Sequence, residues 1–459
     1  MSNIQQLGGR RRRLRKLVRR LGVPRLLGIL VAFILVFNFW ILPALTQQPV
    51  VITMLMQGQD RANWAPFFQE FNEKNPDIRL NVVEGPFDSN LVENLYTSAF
   101  LLGDSPYDVL NMDIVWVPKF AAAGWLMDLT GRLPQEQLSK FVKGNIEGSM
   151  YQDSLYRIPT TSDAGVLYYR TDLLKQAGVE PPETFEQMVQ IGTNLQKQDA
   201  VDWGYLWQGK QYEGVSAMFV EVLEGFGGFW ANPETLEVGL DRPEAIQAVE
   251  FLRNTITNGL SPRGVVTYGE EETRLLFQNG GAAFLRNWPY VLKLANDPAS
   301  DVRGKVGIKP MIHGQGHPGG SALGGWGLGI SKTTRHPEEA WRVIQFMTSE
   351  ETMKKFVLST GLIPSLQTLF KDPEILAQFP YFTQLFEAVQ NPALRPPIAQ
   401  YAQASDVLQR YLSAAFTGRM NSEQAMKAAA QETRNILGGF GRAPVSQKST
   451  PAQTVAVSS

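Results

Sequence analysis

Between residues 50 and 82 the chain changes hydrophobic period twice, and that change restricts the fold more than any other feature of the sequence. Val50 to Met56 is an apolar run of strand length, closed by the turn-prone Gln57-Gly58-Gln59-Asp60. Trp64, Phe67, Phe68 and Phe71 follow at helical spacing until Asn75-Pro76 stops the pattern. Ile78, Leu80 and Val82 then alternate as a strand does. Strand, helix and strand in so short a span predict a parallel pair with a crossover helix. The order repeats with a helix near Asn90 to Leu102 and a strand at Tyr107 to Met112. Helical spacing recurs at Thr184 to Lys197, Pro243 to Asn258, Pro337 to Thr348, Glu350 to Ser359 and Ser422 to Leu437. Short strands such as Gly165 to Tyr169 and Val306 to Ile308 separate these segments. Interleaving of this kind predicts an α/β fold rather than separate all-α and all-β domains.

The N-terminus differs from the rest in charge. Nine of the 43 basic residues lie in positions 1–25, and no acidic residue precedes Asp60. The formal net charge of −1 therefore hides a body near −10, which argues against nucleic acid as a partner. The basic segment is followed by Leu26 to Thr46, 21 uncharged residues, close to the roughly 20 needed to cross a bilayer. A buried soluble helix is the weaker reading, because nothing amphipathic interrupts the run. Positive charge before it predicts a cytoplasmic N-terminus and export of the residues beyond it. Residues 26–46 are expected to be a transmembrane anchor or a signal segment. Ala44 and Thr46 form only an imperfect small-x-small cleavage site, and the apolar run is longer than a usual signal peptide, which favours an anchor. Arg11-Arg12-Arg13-Leu14-Arg15-Lys16 loosely fits a twin-arginine signal as well, so the export route stays open. The tail over 441–459 has the composition of a disordered segment.

The chain has no cysteine, which excludes disulfides, thiol catalysis, cysteine-ligated metals and a lipoprotein anchor. With three histidines, and glycines between His313 and His317, no metal site is expected. No cofactor is expected either.

Four segments in order carry a resemblance to a known family. The first is Pro106-Tyr107-Asp108-Val109 leading to Asp113-Ile114-Val115-Trp116 and Phe120 to Leu129. The second is Gly148 to Tyr151 with Ile158-Pro159, Asp163, Leu167 to Arg170, Asp172 to Leu174 and Pro181 to Phe185. The third is Gly280 to Phe284 with Asn287-Trp288-Pro289-Tyr290. The fourth is Gly324 to Lys332 with Glu338 to Trp341 and Gly361 to Ser365. From about residue 50 to 440 the chain resembles the extracellular solute-binding proteins of carbohydrate ABC importers, the group that contains maltose- and trehalose-binding proteins.

That resemblance implies a two-lobed, type II periplasmic-binding-protein-like fold, each lobe a mixed sheet flanked by helices, with the ligand in the cleft between. The expected division is 48–162 with 305–357 for one lobe and 163–304 with 358–440 for the other. It further implies a periplasmic or other extracytoplasmic location, a carbohydrate ligand, permease subunits as partners and no enzymatic activity. A monomer, tethered to the membrane through its N-terminal segment, is expected.

A sugar presents hydroxyls to polar groups and flat C–H faces to aromatic rings, so Asp, Arg and Trp recur in sugar clefts. The candidates are those that follow strands or lie in Gly-rich loops. Asp113 matches a family position that accepts sugar hydroxyls, and a helix N-cap is its structural alternative. Asp163 lies where the chain crosses between lobes, with a turn-forming role as alternative. Trp326, beside Gly325, is the one large group in a glycine loop that lets backbone approach a ligand, and Trp288, with Tyr290 as companion, resembles a family aromatic that stacks on sugar; core tryptophans are the alternative. Arg395, Trp207 and Tyr212, the last followed by Glu213, match regions near the cleft. Gln57, Gln59 and Arg61, after the first strand, are polar candidates that surface solvation explains nearly as well. Glu270-Glu271-Glu272 reads as a solvated helix start. The rival functions are an extracellular glycoside hydrolase, which requires two carboxylates at a fixed separation, and a membrane-tethered sensor of another solute.

Overall fold

The computed structural model describes residues 48–439. The basic segment, the apolar segment 26–46 and the tail 441–459 lie outside the described residues. Among the described residues no helix is long and apolar enough to cross a membrane. The described residues divide into two units, 48–51 with Asn72–Arg79, and Ile52–Phe71 with 80–439. In the first, the Val50 amide donates to the Asp77 carbonyl at 2.9 Å. All residues lining the candidate cavity belong to the second.

Two mixed sheets organise the fold. In the five-stranded sheet the order is Ile78–Gly85, Val50–Gln57, Val109–Asp113, Trp326–Ile330 and Ile158–Pro159. Met54 and Leu55 pair in parallel with Val109 and Leu110, whereas Trp326–Ile330 runs antiparallel to Val109–Asp113. The four-stranded sheet has the order Val306–Pro310, Val166–Arg170, Ala282–Asn287 and Trp203–Leu206. Its third strand is buried along its whole length, as expected of an inner strand covered on both faces.

A third, three-stranded sheet joins them, with the order Pro392–Ala393, Ser321–Gly324 and Asp163–Ala164. Asp163–Ala164 leads from the first sheet into Val166–Arg170, and Ser321–Gly324 leads from the second sheet back into Trp326–Ile330. Both passages therefore pair side by side, with Asp163 opposite Gly324.

The strand that follows residue 305 joins the four-stranded sheet. Val306–Pro310 pairs along its full length with Val166–Arg170, so the return passage begins after Pro310. The apolar alternation of this strand is the same whichever sheet receives it, and only the pairing partner decides.

Local signals set several of the helices. Phe185–Lys197 starts at a capping box between Thr184 and Gln187. Pro243 and Pro337 occupy the first turns of Pro243–Thr257 and Pro337–Met347. Glu350–Thr360 is capped by Ser349 and closed by left-handed Gly361. Trp64, on helix Gly58–Lys74, stacks on Phe356 with ring centroids 4.0 Å apart, which fastens these two helices.

Candidate ligand-binding cavity

A cavity of about 470 Å³ gathers the ends of several strands and the starts of several helices. Its size falls in the range of about 300–1,000 Å³ usual for small-molecule sites. Its position outside strand ends follows from geometry, since the loops there are free of ladder pairing and can present side chains.

One wall comes from the five-stranded sheet. Gln57 ends the strand Val50–Gln57, and Asp60 lies in the first turn of the helix that succeeds it. Asp113 ends Val109–Asp113 and stands in register opposite Trp326. The Asp113 carboxylate does two things. It accepts from the Val115 amide at 3.2 Å, the cap that the sequence allows, and from Arg395 Nη2 at 3.1 Å. Trp326 meets Trp116 edge to face, centroids 5.4 Å apart, and keeps part of its ring on the cavity.

Gly325 is what lets the Trp326 strand enter at this angle. Its φ is +125°, and a Cβ would sit 2.4 Å from the Thr161 carbonyl oxygen. No other residue type fits there without displacing backbone. The Gly325 carbonyl accepts from Arg157 Nη2 at 2.6 Å, and Arg157 also reaches Met112 O and Ser149 Oγ. Burial pulls the Arg157 guanidinium down to about 9. No sequence motif marked Arg157, because its three partners lie at separations of 8, 45 and 168 residues.

The opposite wall comes from segments around the four-stranded sheet. Trp288 follows Ala282–Asn287 directly; its indole Nε1 donates to Glu270 at 3.3 Å, and its carbonyl accepts from the Tyr168 hydroxyl at 2.8 Å. Tyr212 also donates to Glu270, and Tyr290 donates to Glu271 at 2.6 Å. Burial, reinforced by the carboxylates, pushes both phenols well above their ordinary range. Glu270–Gln278 starts here as the sequence predicts, and Glu271 and Glu272 are exposed, but Glu270 is half-buried, and Glu270 and Glu271 line the cavity and accept from three aromatic side chains. Only the fold brings Tyr212 and Trp288 to them.

Arg395 closes the floor. It donates to Glu213 at 2.8 Å, to Asp113 at 3.1 Å and to the Leu323 carbonyl at 3.3 Å. Glu213 accepts in addition from Tyr401 and Ser405. Burial raises the Glu213 carboxyl, and Arg395 opposes that rise.

Asp163 has less support. Its carboxylate accepts from the adjacent Ala164 amide at 3.0 Å. Burial lifts it to about 8; Ala164 and Arg286 pull downward, whereas Asp60 and Asp113 push upward. Burial also lifts Asp60, to about 6. Part of each side chain faces the cavity, so these groups are poised to gain from a ligand that donates hydrogen bonds.

Nine of the candidates thus surround one cavity, namely Gln57, Asp113, Asp163, Tyr212, Trp288, Tyr290, Gly325, Trp326 and Arg395. Two lie elsewhere. Trp207 is fully buried, donates to Thr255 and Ser261 and packs against Phe416, so it is a core residue. Arg61 turns to Val82 O and Glu84, away from the cavity lining. Gln59 lies in the first turn of Gly58–Lys74, and its side chain is outside the described residues. Among the described residues, no cluster of three His, Asp or Glu side chains is arranged to hold a metal.

A family model of bacterial extracellular solute-binding proteins matches residues 57–354, which include most of the cavity wall. The chain belongs to this family. A probable ABC transporter-binding protein of Deinococcus radiodurans is 30% identical over 367 residues, covering 78% of this chain and 87% of that one. The maltotriose-binding protein of Pyrococcus abyssi is 25% identical, covering 76% and 73%. Among solved structures, maltose-bound MalE3 of T. maritima superposes with a TM-score of 0.79 at 34% identity, covering 84% of this chain and 99% of that one. Membership of this family makes the protein a solute-binding protein and not an enzyme, which sets aside the hydrolase alternative.

Proposed function

We propose that the protein is the extracytoplasmic receptor of an ABC importer and that it binds a di- or oligosaccharide in this cavity. The observation that carries the proposal is the placement of Trp288 and Trp326 on two walls of one cavity, each beside a carboxylate, Glu270 and Asp113. Indole faces suit the C–H surfaces of a sugar ring, and carboxylates accept from its hydroxyls. The ligands named for two relatives, maltotriose and maltose, agree with this chemistry. In this reading each of the two larger sheets is the centre of a lobe, the three-stranded sheet is the crossing between them, and closure over the sugar presents the protein to permease subunits. The chain works as a monomer, and residues 26–46 tether or export it.

The test is a thermal-shift and tryptophan-fluorescence panel on the full chain in mild detergent, with maltose, maltotriose, trehalose, sucrose and glucosylglycerol. A sugar at about 100 times its Kd stabilises the folded form by about 2.7 kcal/mol. At least one sugar is expected to raise the melting temperature and change the fluorescence. Silence across the panel at millimolar concentration would remove the carbohydrate assignment.

A further inference from the structure

Against Trp288 lies a second charged group. Arg286 and Glu221 are both fully buried and form a two-pronged pair, Nε to Oε2 at 2.7 Å and Nη2 to Oε1 at 2.6 Å. The remaining Arg286 nitrogen, Nη1, donates to Gln208 Oε1 at 3.2 Å. Gln208 in turn donates to the Arg286 carbonyl and to Thr273. The guanidinium carbon stands 4.3 Å from the centroid of the Trp288 ring, within cation–π range.

Glu221 reaches the crossing strands too. Its Oε1 accepts from the Ala322 amide at 3.0 Å, on Ser321–Gly324, the strand that leads through Gly325 to Trp326. The fit is tight, since a Cβ on Gly165 would lie 1.6 Å from Glu221 Oε1 and 2.5 Å from Arg286 Nη2. Gly324 packs near the ring less tightly, where an added Cβ would sit 3.4 Å from Trp288 Cζ3.

We propose that the Glu221–Arg286 pair is a positioning device that fixes the Trp288 ring and its spacing from the Trp326 strand. It rests on the sugar-binding reading of the cavity, because only there does the spacing of two indoles become affinity. The physical case is that the single hydrogen bond from Nε1 to Glu270 leaves the ring free to swing about that contact, whereas a ring also laid on a guanidinium held at three nitrogens is fixed. A buried pair is a poor source of net stability, since removing two charges from water costs about what their attraction returns. Its retention beneath a ligand-facing ring therefore points to geometry. Neither residue touches the ligand, so both act through Trp288 and the Ala322 amide.

The decisive variant is Glu221→Gln with Arg286→Met, which keeps both stems and leaves no charge unpaired. The readouts are affinity for maltose and maltotriose, and the ¹⁹F line of Trp288 in the 5-fluorotryptophan-labelled full chain, assigned by its loss in Trp288→Phe. The double variant is expected to melt within a few degrees of wild type, to lose at least tenfold in affinity, and to shift or broaden the Trp288 line while leaving Trp207 unmoved. Arg286→Lys, which keeps a cation without the fork, is expected to fall between, and it carries the same readouts should the double variant not fold. Wild-type affinity with an unchanged Trp288 line would overturn the proposal. If the wild-type chain binds neither sugar, the sugar reading fails, and the ¹⁹F line alone still decides whether the pair holds the ring.

Discussion

Arg395 and Arg286 are both buried beside the same cavity, yet they stand in different company. Arg286 faces one carboxylate, Glu221, through two parallel bonds, and three of its nitrogens are satisfied. Arg395 faces two carboxylates, Asp113 and Glu213, and among the described residues its Nε has no hydrogen-bond partner. The first cluster is closed in charge and geometry, and its visible effect is on the ring above it. The second is open. One guanidinium answers two acids, one at the end of the strand Val109–Asp113 and one at the start of helix Glu213–Gly225. A closed pair holds a surface still, whereas an open one links segments of the chain and stays sensitive to whatever enters the cavity.

The contrast between the clusters breaks most severely at Arg395. Arg395→Ala leaves the buried Glu213 without its counter-charge and the half-buried Asp113 with only Arg157 near it, and is expected to cost about 3–5 kcal/mol in urea denaturation. Neutralising Glu213 together with Arg395 should recover only part of that, because Asp113 remains. The Glu221→Gln, Arg286→Met chain should lie within about 1–2 kcal/mol of wild type. Equal costs for the two clusters would mean that the distinction has no energetic content.

Next in size is Trp326→Ala. The ring is partly exposed on the cavity, so affinity for the best sugar is expected to fall by on the order of tenfold or more with little change in melting temperature. A variant that unfolds instead would return Trp326 to the core reading.

A smaller effect is expected at Asp163, whose carboxyl is lifted from its ordinary 3.8 to about 8 in the unliganded fold. Between those values the folded chain holds a proton that the unfolded chain has released. Stability from this group is therefore intact below about pH 4 and declines as pH rises towards 8. Asp163→Asn removes that decline and should raise the melting temperature at pH 8 by about 1–3 °C relative to wild type, with no gain at pH 4. A gain of the same size at both pH values would contradict the lifted carboxyl.

The smallest effect on binding belongs to Trp207→Phe. It gives up the hydrogen bonds to Thr255 and Ser261 and should cost about 1–2 kcal/mol of stability. Sugar affinity is expected to stay within about twofold, and a larger loss measured by fluorescence titration would place Trp207 in the site after all.

The sequence by itself determined that the chain alternates strands and helices, because hydrophobic period is a property of neighbouring residues and survives without knowledge of the fold. It also marked the strand ends where Asp113 and Trp288 stand, and the glycine that Trp326 requires before it. The tertiary structure alone decided which aromatic rings reach the cavity. Trp207 and Trp288 each follow an apolar strand of the same sheet, but Trp207 is met by Ser261, Thr255 and Phe416, between 48 and 209 positions along the chain, and is buried. Trp288 is met instead by Arg286 and borders the cavity. Likewise Glu270 gained its role from Tyr212, and Glu221 from Ala322, partners 58 and 101 positions away. Burial and charge pairing depend on what packs from such distances, and nothing in local periodicity records it.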